Sequence, residues 1–474
     1  MSFPPKLLLV HPPIYDFTAF DLFLYPLGLL EIATVFESAG WQVRLVDALD
    51  RFAAPTSSGQ EEPQHQARLR GRSAVRKPTF RPDGCGHFRR QRIPSPPLLD
   101  HVPRHFHRFG MPRDELARLM ARDGPPDLVG IGCTMTYWYL GIQEVVGMAR
   151  ELFGSVPIAL GGVYASLCAD HARGMMGVDC VLTGRDLSPL LEIASDVRRD
   201  APPAEAFRLL SLTRTGVTTP AHHLLGARDS AAVRATCGCP YRCTYCAAHQ
   251  LAGSFRARSR SEVIDELVNL VDRHDRRQIA FHDDSLISRS GKPFLELVEE
   301  IRAVGLHRRA RFYSINGVNA AAIDDEVAEG LAGAGFVSVR IGFETSDHEL
   351  QATTGGKTSG ADLDRALTAL RRAGFGTREV GVYVMVGLPD QDEDTIWRSL
   401  DFVHRLGARI HLTEYAPVPG TPTFERAKAL SRLDLGEPLH HNKTLAGLRF
   451  ETLTLDQLRR IKDRVRTLNQ RLSG

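Results

Sequence analysis

The stretch Cys239-Pro240-Tyr241-Arg242-Cys243-Thr244-Tyr245-Cys246 sets three cysteines apart by three and then two residues. With Cys237, it holds four of the chain's eight cysteines within ten positions. That crowding does not suit a disulfide framework, and it points to metal binding. One short loop with this spacing can reach three corners of a [4Fe–4S] cube, leaving one iron open to a small molecule. The competing reading is a structural zinc site completed by Cys237. Zinc sites usually pair two Cys-x-x-Cys knuckles or add histidines, and here a single knuckle follows a three-residue gap. Cys237 itself is left unassigned. The scattered Cys85, Cys133, Cys168 and Cys180 are expected to be buried free thiols.

Outward from the cysteines, apolar runs alternate with helical patterns. A strand before the cysteines is followed by strand candidates at 278–282, 311–315, 337–342, 381–386 and 410–415. Helical stretches such as 362–373 separate them, and Ser259 with Glu262 predicts a capping box ahead of Val263, Leu267, Leu270 and Val271. Six β/α units predict an incompletely closed, TIM-like (β/α)6 barrel over 230–420, with functional residues at the carboxyl ends of its strands. The cysteine loop would then lie at the barrel mouth. Residues 421–474 are expected to form a helical extension. His440 and His441 are read there as a surface pair, and Gly356-Lys357-Thr358 as a turn, because Gln351 stands where a phosphate loop needs its first glycine.

Towards the amino terminus, strands are expected at 6–10, 42–46, 127–132, 157–162 and 180–182, with helices over 27–39 and 141–152. The fold class is therefore α/β, with a doubly wound, Rossmann-like domain over 1–199 preceding the barrel. An insertion at about 52–112 is rich in Pro, Gly, His and Arg, and strings such as Arg68-Leu69-Arg70-Gly71-Arg72 predict mostly loop. Its cations include Arg76, Lys77, Arg89, Arg90, Arg92, Arg104 and Arg108. No stacking platform accompanies them, so a solvated or interdomain loop is preferred to a polyanion grip. The polar segment 200–229 is read as a linker.

The 474 residues exceed what one core usually supports, which agrees with two domains. A net charge of +3 gives no global support for nucleic acid or acidic membrane as a partner. No apolar run approaches the roughly 20 residues of a membrane span, and no signal-peptide layout precedes Lys6, so a cytoplasmic protein is expected.

The Cys-x-x-x-Cys-x-x-Cys loop, with Tyr245 just before its last cysteine, resembles the signature of the radical S-adenosylmethionine (radical SAM) superfamily. The resemblance implies a [4Fe–4S] cluster on Cys239, Cys243 and Cys246 and S-adenosylmethionine chelated at the open iron. An electron would then cleave the sulfonium to release a 5′-deoxyadenosyl radical. Phe281-His282-Asp283-Asp284-Ser285 stands where the family usually carries a Gly-Gly-Glu-like turn, so Asp283 or Asp284 is implied as acceptor for the methionine amino group. Arg340-Ile341-Gly342-Phe343-Glu344-Thr345 is similar to the family's fourth-strand segment, which implies Glu344 at the ribose and Arg340 at a carboxylate. Val386-Gly387-Leu388-Pro389 resembles the turn beside the adenine.

The first domain looks like the cobalamin (B12)-binding-type fold that precedes the barrel in one branch of the superfamily. The matching pieces are Leu7-Leu8-Leu9-Val10-His11-Pro12-Pro13, Pro26-Leu27-Gly28-Leu29-Leu30, the strand running to Cys133, and Leu160-Gly161-Gly162-Val163. They imply His11, Cys133, Gly161 and Gly162 as residues near a corrinoid. The Asp-x-His-x-x-Gly motif that offers histidine to cobalt is absent after the first strand. The expected function is reductive cleavage of S-adenosylmethionine to functionalise an unactivated C–H bond of a small molecule or peptide, with electrons from a flavodoxin or ferredoxin. With cobalamin it would be a methyltransferase. The alternatives are a cobalamin-independent rearrangement, oxidation or insertion enzyme, and a non-catalytic metal-binding module.

Overall fold

The computed structural model describes residues 4–53, 75–197 and 218–472, which form two compact units dividing at Arg228 and Asp229. In the first unit, strands β1 (Lys6–His11), β2 (Gln42–Asp47), β3 (Leu128–Cys133), β4 (Ile158–Gly162) and β5 (Cys180–Val181) pair in parallel in the order β2-β1-β3-β4-β5. The central strands are continuous apolar runs because helices cover both faces, and Leu7 to Val10 are all at most 1% exposed. The order reverses beside β1, so the carboxyl ends of β1, β3 and β4 border the crevice where open α/β sheets bind ligands. His11, Cys133, Gly161 and Gly162 stand on those ends.

The described part of the insertion, 75–112, is mostly loop, but it also carries two short strands. Phe106–Phe109 pairs antiparallel with both Ile14–Asp16 and Arg90–Ile93. Phe88, Phe106 and Phe109 are buried, giving this small sheet an apolar side. Several of its cations are engaged internally: Arg108 reaches both oxygens of Glu144, at 2.8 and 2.7 Å, and Arg89 reaches Glu115 at 2.7 Å. Arg68 to Arg72 lie outside the described residues. So does most of the expected linker, and its remainder belongs to the first unit, where the Ala221 N–H donates to the Leu30 carbonyl. Cys85, Cys133 and Cys180 are buried free thiols, whereas Cys168 is half-buried.

In the second unit, β6 (Ser230–Val233), β7 (Gln278–Phe281), β8 (Arg311–Ser314), β9 (Phe336–Glu344), β10 (Val380–Val386) and β11 (Arg409–Glu414) form one parallel sheet in chain order. Among the described residues β6 and β11 remain its two edges, as expected of a partial barrel. Alternate residues point outward to the helices, where Phe281 and Phe336 stack with centroids 5.5 Å apart. Ser359 with Asp362 and Thr454 with Gln457 form capping boxes. The expected Ser259–Glu262 box does not form: the Ser259 hydroxyl is engaged with that of Ser261 at 2.7 Å.

The carboxyl-terminal segment is an integral layer of this unit. His440 and His441 are buried, against the expectation of a surface pair, and their rings lie 2.7 and 2.9 Å from the carbonyls of Asp434 and Leu435. Arg449 is fully buried and donates to the carbonyls of Tyr415, His440 and Asn442. Helix Leu455–Arg471 packs Leu458, Ile461, Val465 and Leu468 on the barrel core. Near its end, the Asn469 amide accepts from the N–H of Ile410 and donates to its carbonyl, both at 2.9 Å.

Candidate active site

The cysteine loop leaves the barrel at the carboxyl end of β6. Thr236 and Cys237 pair antiparallel with Ala257 and Arg256, and Gly238 then turns at φ +75° with the backbone of Gly253 and Ser254 close by. Cys237 is thereby buried in the loop's base, its sulfur 3.9 Å from the Ala252 carbonyl. Cys239 and Cys243 are half-buried and Cys246 is exposed. Burial pushes the Cys239 thiol up, and the neighbouring Cys243 and Cys246 push it further; Cys246, although its surface is open to solvent, has enough protein around it to be raised as well, and Cys243 adds to the rise. The three thiols stand on one short loop. Their donor chemistry fits an iron–sulfur cluster held at three corners. Among the described residues no three His, Cys, Asp or Glu side chains converge on a single metal ion.

The two aspartates after β7 differ in what they touch. Asp283 is 2% exposed, and its Oδ1 accepts from the backbone N–H of Ala235 at 3.0 Å and from the backbone and hydroxyl of Thr236. It clamps the strand that delivers the cysteine loop. Burial raises Asp284, opposed by Arg234 and by the Gly238 N–H, and Asp284 in turn raises both Cys239 and Cys246. Of the pair, Asp284 is the carboxylate that faces the thiols.

At the end of β9, Gly342 pairs with Tyr383 and Glu344 with Val384, so Phe343 is an extra residue. This bulge re-aims Glu344, which sits at φ +69°. A non-glycine residue held there costs of order 1–3 kcal/mol and marks a constrained position. Its carboxylate Oε1 is 3.0 Å from Lys357 Nζ, with the two side chains only 13% and 19% exposed. Burial opposes the charge on Lys357, but Glu344, Cys243 and Cys246 outweigh it and hold the ammonium charged. Burial, then Glu344 and Cys243, push the Tyr245 phenol up. Arg340 lies deeper in the barrel, beside Tyr383 and His411, whose imidazole is lowered to about 4 by burial and by Arg340 and Arg409. Val386 closes β10, and the Gly387 N–H donates to Gln391 Oε1 at 2.9 Å, with φ +83° at the turn.

Thus Tyr245, Asp284 and Glu344 gather around the three thiols, whereas Asp283 supports the loop from behind. Lys357 was missed by sequence reasoning. The available signal was a lysine between a glycine pair and the Ser359 helix cap, a short way beyond Glu344.

In the first unit His11 is 3% exposed, and its Nδ1 lies 2.8 Å from Asp47 Oδ1. Burial pushes Asp47 up, but His11 and Arg228 outweigh it and hold its carboxyl below the usual range. Burial pushes the Cys133 thiol up to about 12. Gly162, at φ +92°, is required by packing, since a Cβ there would lie 2.4 Å from the Cys133 carbonyl oxygen. Gly161 is different: the nearest atom to a Cβ would be 3.6 Å away, on Leu182. Its bare backbone at a sheet's carboxyl edge fits the close approach of a large ligand such as a corrinoid. The Asp47 contact engages only Nδ1 of His11, and a carboxylate on one ring nitrogen is compatible with metal binding at the other.

Among the described residues no helix is long and apolar enough to cross a membrane. Residues 233–403 match the Radical SAM superfamily. Anaerobic magnesium-protoporphyrin IX monomethyl ester cyclase of Cereibacter sphaeroides is 25% identical over 193 residues, 40% of this chain and 31% of that protein. The ribosomal protein uS12 methylthiotransferase RimO of Heliobacterium modesticaldum is 26% identical over 217 residues, 44% of this chain and 45% of that protein. The chain therefore spans less than half the length of either relative. Among solved structures, the radical S-adenosylmethionine methyltransferase TsrM of Kitasatospora setae, with cobalamin and a [4Fe–4S] cluster bound, has a TM-score of 0.61 at 16% identity, covering 94% of this chain and 82% of TsrM. TsrM with tryptophan and an aza analogue of S-adenosylmethionine gives a TM-score of 0.65 at 16% identity, covering 98% and 88%. At that identity the likeness is one of fold, a doubly wound α/β domain followed by a partial β/α barrel. The barrel that carries the three-thiol loop is thus the part of this chain that matches the Radical SAM superfamily.

Proposed function

We propose that this protein is a cobalamin-dependent radical SAM methyltransferase that binds a [4Fe–4S] cluster through Cys239, Cys243 and Cys246 and methylates an unactivated carbon or phosphorus centre. The observation that carries the reading is the placement of three thiols on one barrel-mouth loop, with Asp284, Tyr245 and Glu344 around them. When bound, the cluster with S-adenosylmethionine supplies one-electron cleavage of a carbon–sulfur bond, and cobalamin supplies a methyl carrier. Asp284 offers an acceptor for the amino group of S-adenosylmethionine, Glu344 for its ribose hydroxyls, and Arg340 a cation for a carboxylate. Val386 and Gly387 offer backbone at the adenine. In the first unit, Gly161 and Gly162 offer bare backbone to the corrinoid, with Cys133 beside Gly162 on the neighbouring strand and His11 oriented through its Nδ1 by Asp47.

The substrate is a small molecule or a peptide, and the electron comes from a low-potential protein donor of the flavodoxin or ferredoxin type. A reducing, cytoplasmic setting suits free thiols and such a donor. The absence of an Asp-x-His-x-x-Gly motif after the first strand favours, as the second reading, a cobalamin-independent radical SAM reaction.

Anaerobic reconstitution with iron, sulfide and hydroxocobalamin tests both readings. About four iron and four sulfide per chain, a corrinoid absorbance retained through gel filtration, and reductant-dependent consumption of S-adenosylmethionine are expected. Cluster and consumption without retained corrinoid would select the second reading. Zinc alone in the rebuilt protein would end both.

A further inference from the structure

We propose that Lys357 is a positioning residue: it holds Glu344 against the cysteine loop and places a positive charge beside that loop, thereby tuning S-adenosylmethionine affinity and the reduction of the cluster. The inference rests on the reading above that Cys239, Cys243 and Cys246 carry a [4Fe–4S] cluster.

Two distant segments are bent to bring this pair together. On one side, the β9 bulge and the φ of +69° turn Glu344 out of the strand. Gly342 leaves the space for the ion pair open, since a Cβ there would sit 3.1 Å from Lys357 Nζ and 3.2 Å from Glu344 Oε1. On the other side, Gly355 at φ +121° brings its turn against the cysteine loop, where a Cβ would lie 3.0 Å from Cys243 Cα. The Thr244 N–H donates to the Thr354 carbonyl at 3.2 Å, and the Thr358 hydroxyl donates to Asn319 Oδ1 at 2.8 Å. Lys357 is thus pinned on both flanks, with its ammonium 3.0 Å from Glu344.

A largely buried ammonium needs compensating negative charge. Glu344 supplies one, and a cluster on three thiolates supplies more. An electron added to that cluster is stabilised by a nearby cation, so loss of the Lys357 charge makes reduction harder. Glu344 acts with the opposite sign. A bridge that served only to hold the turn would give no such sign dependence.

The test compares the reconstituted full chain with Lys357→Met, Lys357→Arg and Glu344→Gln. Iron content, the midpoint potential from an electron-paramagnetic-resonance titration, and S-adenosylmethionine affinity by equilibrium dialysis are read for each. Lys357→Met is expected to keep its iron, bind S-adenosylmethionine about tenfold more weakly, and shift the reduction equilibrium about tenfold, or about 59 mV lower for one electron. Lys357→Arg should recover most of both effects, and Glu344→Gln should move the potential upward. The proposal is overturned if Lys357→Met keeps wild-type potential and affinity, or if Lys357→Arg is as impaired as Lys357→Met. If Lys357→Met does not fold, the sign in Glu344→Gln decides: an unchanged or lowered potential overturns it. Wild-type protein that cannot hold an iron–sulfur cluster is a separate result, which removes the cluster reading and this proposal together.

Discussion

Asp283 Oδ1 accepts hydrogen bonds from both the backbone N–H and the hydroxyl of Thr236, the residue that opens the cysteine loop. Replacing Asp283 by alanine leaves the N–H groups of Thr236 and Ala235 without their acceptor inside the barrel, while the Thr236 hydroxyl keeps the Ser285 carbonyl at 3.1 Å. Each orphaned buried donor costs about 1–3 kcal/mol. Asp283→Ala is therefore expected to lower the denaturation midpoint of the apoprotein. It should also release iron faster from the reconstituted protein, as a chelator challenge would read. An unchanged midpoint would refute the clamp.

The same carboxyl predicts a pH dependence. Burial pushes it up to about 6 from the ordinary 3.8. Between those values the folded chain keeps a proton that the unfolded chain has lost, so this site's contribution to stability falls as pH rises. The loss is complete above about pH 6 and amounts to roughly 3 kcal/mol. Denaturant melts of the apoprotein from pH 4 to 7 should show the decline, and Asp283→Asn, which keeps an acceptor oxygen, should flatten it. Equal slopes in the two proteins would count against the assignment.

Cysteine substitutions should fall into two classes. Alanine at Cys239, Cys243 or Cys246 is expected to abolish cluster-type absorbance and reductant-dependent consumption of S-adenosylmethionine. Cys237→Ala should retain both and lower stability by about 1 kcal/mol, because its sulfur packs in the base of the loop near Ala252. Iron loss in Cys237→Ala would reassign the ligands.

The order of the barrel strands, and the placement of the cysteines beyond the first of them, could be read from local pattern, since each apolar run has its own periodicity and bounding turns. What escaped that reading depends on contacts between distant segments. Phe88, Phe106 and Phe109 are scattered among arginines and histidines, and they make a core only because Ile14–Asp16 pairs from far upstream. Glu344 was legible as a strand-end acid, but its turned-out backbone follows from one extra residue in β9. Lys357 looked like part of a turn because its burial depends on Gly355 meeting Cys243. His440 and His441 looked exposed because backbone carbonyls, which no side-chain pattern announces, satisfy them.

The neighbouring glycines of β4 offer a contrast. Gly162→Ala is expected to destabilise the first unit by roughly 2–4 kcal/mol, since its backbone turn and the Cys133 carbonyl both exclude a side chain. Gly161→Ala meets nothing nearer than 3.6 Å and should leave the melting curve unchanged while weakening corrinoid retention. Full retention in Gly161→Ala would move the corrinoid away from this edge.

Asn469 meets both backbone groups of Ile410 with one side-chain amide, as an additional strand would. A barrel that stops at six strands presents an open flank to any passing extended peptide, including another molecule of itself. By plugging that flank locally, the final helix works as a guard against runaway self-stacking. Shortening the chain to a tidy catalytic barrel would remove the guard along with the helix.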